Sequence, residues 1–102
     1  MFLYDSHGKP IAYRRSPEDR WLWDTGDRWL GWFPWYDNDA YTKNGQYLGT
    51  VIGNRLFRRI SQPYRGYPGY SGYPGYAGYP GYGGYGGYSP APHGYREVGL
   101  NA

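Results

Sequence analysis

One short stretch, Tyr41-Thr42-Lys43-Asn44-Gly45-Gln46-Tyr47-Leu48-Gly49, occurs in two further versions earlier in the chain. Tyr4 to Tyr13, Trp23 to Trp32 and Tyr41 to Thr50 align without a gap, at offsets of 19 and 18 residues. Each copy runs aromatic, polar turn, cation or amide, aliphatic, small residue. Repetition at such a period marks a supersecondary unit that cannot bury its apolar face alone. The chain must therefore fold by placing copies against one another.

Each copy reads as strand, turn, strand. Asn44-Gly45 supplies residues that tolerate positive φ, and His7-Gly8 and Gly26-Asp27 occupy the matching places. The flanks are rich in Trp, Tyr, Val and Ile, which suit a pleated surface, and no stretch keeps a helical apolar period free of turn clusters. Pro17 and Pro34 end the strands before them. Gly53-Asn54 signals one more two-residue turn. The expectation is an all-β fold of seven short strands, with repeated β-hairpins forming a closed pseudo-four-fold ring. Phe2-Leu3-Tyr4 would pair with Leu56-Phe57-Arg58, removing the exposed edges. Ala12, Gly31 and Gly49 sit mid-strand, where small residues mark a close approach. The aromatic rings of Tyr4, Trp23 and Tyr41 are the expected neighbours.

After Pro63 the composition changes. Most of the 18 glycines and 9 prolines of this 102-residue chain lie there, and tyrosine recurs every third residue from Tyr64 to Tyr88. Such composition predicts a disordered low-complexity segment. A polyproline II backbone, with three residues per turn, would align the tyrosines in one stripe. Two regions follow: a hairpin-repeat domain over 1–61 and a Gly/Tyr/Pro-rich tail over 62–102.

Tyr4-Asp5, Gly8-Lys9-Pro10-Ile11-Ala12-Tyr13, Leu30-Gly31-Trp32 and Asn44-Gly45-Gln46-Tyr47-Leu48-Gly49 resemble the repeated phrase of the four-fold β-flower family, small bacterial domains of unknown function. The resemblance covers about residues 1–60. It implies hairpin petals about a pseudo-four-fold axis in a shallow, barrel-like ring. The second copy departs from it at Asp27, where the others carry glycine. The family's fold is similar to the tubby and scramblase barrels, which implies contact with membrane phospholipid. The tail is similar to the Gly-Tyr-Pro-rich segments of annexins and scramblases.

Catalytic groups are sparse. His7 and His93 have no nucleophile at a recognisable spacing, and Asp37-Asn38-Asp39 lacks the remaining oxygens of a calcium loop. There is no cysteine, so thiolate sites are excluded. A non-enzymatic interaction or assembly protein is expected, with no cofactor and no metal. The net charge of +3 is too mild for a dedicated nucleic-acid binder. Trp32, Phe33, Trp35 and Tyr36, with Arg55, Arg58 and Arg59, form the candidate contact surface. Tyr67, Tyr70, Tyr73, Tyr76, Tyr79 and Tyr82 are the candidate stickers of the tail. The expected partner is the protein itself or another protein, and the alternative is an anionic membrane surface. A second alternative is a small ligand bound at the centre of the ring. With no charged n-region and apolar run at the start and no spanning helix, the expected location is cytoplasmic, membrane contact being peripheral.

Overall fold

The computed structural model describes every residue except 73, 76, 77, 79 and 100–102. Tyr73, Tyr76 and Tyr79, three of the expected stickers, thus lie outside the described residues. The elements are β1 (Phe2–Tyr4), β2 (Pro10–Tyr13), β3 (Trp21–Trp23), β4 (Trp29–Trp32), β5 (Asp39–Tyr41), β6 (Tyr47–Ile52), β7 (Arg55–Arg59) and β8 (Tyr95–Glu97). The fold is all-β, a closed seven-stranded barrel with one extra strand. Among the described residues no helix is long and apolar enough to cross a membrane.

The three copies fold by one local device. A side-chain oxygen at the first turn position accepts backbone N–H bonds. Asp5 Oδ1 takes those of His7 and Lys9 (both 2.9 Å), Asp24 Oδ1 those of Gly26 (2.8 Å) and Arg28 (2.9 Å), and Thr42 Oγ1 that of Gln46 (3.2 Å). The fourth turn residue then goes left-handed: Gly8 at φ 84°, Asp27 at 72°, Gly45 at 87°. Its N–H bonds back to the carbonyl of Asp5, Asp24 or Thr42, and the ladder register shifts next to Tyr4, Trp23 or Tyr41. One left-handed residue followed by a bulge replaces the two-residue turn expected at Asn44-Gly45. The second copy keeps this geometry with aspartate in the glycine place. At Gly53-Asn54 a two-residue turn does form, with Gly53 at φ 61° between the paired Ile52 and Arg55.

Packing repeats with the turns. Leu3, Leu22, Ala40 and Leu56, one each from β1, β3, β5 and β7, are all fully buried. The first three stand opposite Ala12, Gly31 and Gly49. At Gly31 and Gly49 the small residue is explained by backbone and not by the aromatic ring expected to cover it. A Cβ on Gly31 would collide with the Tyr41 carbonyl, and one on Gly49 would lie 3.0 Å from the Phe57 carbonyl oxygen.

Seven strands in an up-and-down meander leave the first and last running the same way, so closure must be parallel. It is, through Tyr4↔Arg55 and the bond from Tyr4 N–H to the Asn54 carbonyl, 2.9 Å. The contact falls at the start of β7, before the Leu56–Arg58 stretch expected to make it. The remaining edge, Phe57 to Arg59, pairs with β8.

β8 comes from the segment read as tail. Continuing its register by one step sets Val98 opposite Leu56, the place that Ala12, Gly31 and Gly49 fill in the other hairpins, and Val98 belongs to the buried core. Gly94, four residues before it, takes φ 87° like Gly8 and Gly45. β7 and β8 are therefore the fourth hairpin. The Ile60 N–H bonds to the Gly94 carbonyl at 2.9 Å, so residues 61–93 form a loop joined at its two ends. Its described residues carry no helix or strand.

Asp27 is the strained member of the set, a non-glycine in the left-handed region with a buried Oδ1 that has no partner among the described residues. Asp27→Gly should raise stability by about 1 kcal/mol, read as a higher urea midpoint with an unchanged slope. A lower midpoint would show that the carboxylate holds the turn.

Candidate binding surface

The aromatic connection after β4 divides into core and surface. Trp32 and Phe33, expected to be contact residues, are buried instead. Trp21 stacks on Trp32 at 6.4 Å between centroids, with the Arg20 guanidinium 5.1 Å from the Trp32 ring. Arg14 lies 4.0 Å from the Phe33 ring centre. Burial holds the Arg14 guanidinium below its ordinary value, with the nearby Asp19 charge opposing that effect. Cations thus serve as lids over rings, a role that composition cannot distinguish from a charged surface. Trp35 is half-buried between Tyr41, 4.8 Å away, and Arg65, 4.6 Å away. Only Tyr36 of this group faces outward, 83% exposed and at φ 57°.

The arginines divide in the same manner. Arg55 is buried and donates to the carbonyls of Asp5 (2.8 Å), Gly87 (2.7 Å) and Gly86 (2.6 Å). Expected on the contact surface, it is instead the clamp that fixes the long loop to the first turn. Arg59 donates to Asp39 Oδ1 and to Gln62 (both 2.8 Å), and to the Tyr95 hydroxyl (3.2 Å). Arg58 is half-buried with no such partner among the described residues.

The loop lies along the barrel with a three-residue pattern, Tyr-X-Gly. Eight glycines at every third position from Gly66 to Gly87 have φ between 69° and 90°, so the backbone differs from the polyproline II helix expected. Where X is proline, Pro-Gly fits a type II turn, whose third residue needs positive φ. At positions 71, 83 and 86 the X residue faces inward. Ser71 is buried, a Cβ on Gly83 would lie 2.8 Å from Pro10, and one on Gly86 would lie 2.6 Å from the Tyr4 ring. Tyr4 donates its hydroxyl to the Gly83 carbonyl (2.7 Å), and the N–H groups of Gly86 and Ser89 reach the carbonyls of Gly8 and Ser6 (both 2.8 Å). The described tyrosines of the loop face out. Tyr64, Tyr67, Tyr70, Tyr82, Tyr85 and Tyr88 are 67–92% exposed.

Two charged groups tie the segment after Arg59 to the barrel. Arg65 bonds Asp37 (2.7 Å) and Asp39 (3.0 Å), and Glu97 accepts the Ser6 N–H (3.1 Å). Asp5, His7 and Glu97 come within 4.8 Å of one another at their ligand-type atoms. Asp5 Oδ1 there caps the turn, and the cluster is the seam between β8 and the first hairpin. Arg65, Glu97 and Val98 carry no signal of these roles in their immediate sequence. The usable signal was His93-Gly94 with Val98 four residues on, which repeats the spacing of His7-Gly8 and Ala12.

No family model matches the chain, and no curated protein or solved structure does.

Burial pushes the Asp37 carboxyl up, but the Arg65 guanidinium and the Asp39 N–H outweigh it and hold the group below the ordinary 3.8. A depressed folded value contributes stability above the ordinary carboxylate range, and the contribution is lost as pH falls through the folded value. A carbon-13 titration should place the Asp37 midpoint below 3.8, and Arg65→Ala should bring it back up. A midpoint indifferent to Arg65 would remove this tie from the account.

Proposed function

We propose that the protein is a non-enzymatic interaction and assembly module of the β-flower type. The barrel is the frame, and the long loop displays tyrosines for weak, repeated contacts with other copies of the chain. The observation that carries this reading is the outward face of the loop. Six described tyrosines are exposed on a segment whose ends are joined by the Ile60–Gly94 bond. Exposed apolar groups in such number mark contact surfaces. Each aromatic pair is worth about 0.5–1.5 kcal/mol, so only several acting together give useful affinity. Pinning the backbone lowers the entropy lost on association. The cytoplasmic location belongs to the same proposal.

Replacing Tyr64, Tyr67, Tyr70, Tyr82, Tyr85 and Tyr88 together with serine leaves the buried residues unchanged. By sedimentation, the native chain should show a weight-average mass that rises with concentration, and the variant should remain monomeric with an unchanged far-UV spectrum. Equal association in both would overturn the reading.

A further inference from the structure

On β7 and β8, Arg58 stands directly opposite Arg96. Directly opposed residues of an antiparallel pair share one face, with Cβ atoms about 4.5–5.5 Å apart, and like charges there are destabilising. The other arginines of this region are compensated: Arg59 by Asp39, Arg65 by Asp37 and Asp39. Among the described residues neither Arg58 nor Arg96 has a hydrogen-bond or carboxylate partner within reach.

Both line a cavity of about 680 Å³ between the β5–β6 hairpin, β7 and the start of the long loop. Four arginines and no carboxylate appear in its lining, together with Gln46 and Tyr64. The two arginines already paired leave an uncompensated charge of two. We propose that this cavity is a binding site for a phosphate-monoester dianion, held by the Arg58 and Arg96 guanidinium groups. A phosphate group carries about −1.5 to −2 charge near pH 7, which matches the pair, where a single carboxylate would neutralise only half of it. Guanidinium groups offer forked donors that fit tetrahedral oxyanions. The cavity is larger than a bare phosphate, so the ester's organic part would lie toward Gln46 and Tyr64. A soluble phosphomonoester and a phosphorylated lipid headgroup share this chemistry.

The site exists only when β8 is paired, because Arg96 comes from the segment after the long loop. The ligand would therefore favour the closed fourth hairpin, since what binds only the folded form stabilises it.

The test uses the full chain in chloride buffer, with phenyl phosphate as the soluble probe and the arginine side-chain N–H resonances as the readout. Saturable shifts are expected at Arg58 and Arg96, with binding at least 10-fold weaker in Arg96→Gln and in Arg58→Gln, and unchanged in Arg28→Gln on the second hairpin. The same spectra show that the variants are folded. A parallel arm measures co-sedimentation with phosphatidylcholine vesicles containing or lacking a phosphoinositide. Probe binding with no vesicle preference assigns a soluble ligand. Phosphoinositide-dependent sedimentation that is lost in Arg96→Gln assigns a headgroup. Overturning results are no binding in either arm, or equal losses in Arg28→Gln and Arg96→Gln.

Discussion

An odd number of meandering strands closes a barrel only through a parallel pair, and here that pair is confined to Tyr4 and Arg55. Phe57 to Arg59 would otherwise present an unpaired edge next to a core position left open opposite Leu56. An open edge is a template for pairing with other chains, and an unfilled core position costs stability in proportion to its volume. β8 and Val98 remove both defects. The chain must travel through a loop of some thirty residues, eight Tyr-X-Gly triplets among them, to deliver them, and near both ends of the repeat that loop touches the barrel.

That route gives the loop its character. Its glycines turn the backbone at every third residue, and the described tyrosines face outward. At positions 83 and 86 the inward residue is glycine because Pro10 and the Tyr4 ring leave no space for a Cβ. At position 71 it is a buried serine. Arg55 then satisfies the carbonyls of Gly86 and Gly87, which an unpaired loop backbone would leave exposed or orphaned. A low-complexity composition therefore does not by itself decide whether a segment touches the domain beside it. The contacts arise from what the barrel offers along its path.

The all-β class, the closed ring and the hairpin units were legible in the chain because the repeat spacing carries them. Turn geometry was less so. Asn-Gly is the commonest signal of a two-residue turn, yet the oxygen of Thr42 or its equivalents at Asp5 and Asp24 selects the longer turn with a bulge. The division of Trp32, Phe33 and Tyr36 into core and surface was not legible. Phe33 packs in the core under Arg14, and Trp32 lies between Trp21 and Arg20, while Tyr36 has no such cover, a tertiary arrangement. The fourth hairpin was hidden by distance: its two strands are separated by the long loop, so an ungapped alignment stops at three copies.

The segment after Arg59 covers the free edge of β7 and fills the core place opposite Leu56. Amide hydrogen exchange on the full chain tests this most directly. The N–H groups of Ile60, Gly86 and Ser89, which bond Gly94, Gly8 and Ser6, should exchange at least roughly 100-fold more slowly than in an unstructured peptide, as hydrogen-bonded native amides do. Unprotected exchange at all three, with the β5–β6 amides still protected, would contradict the account.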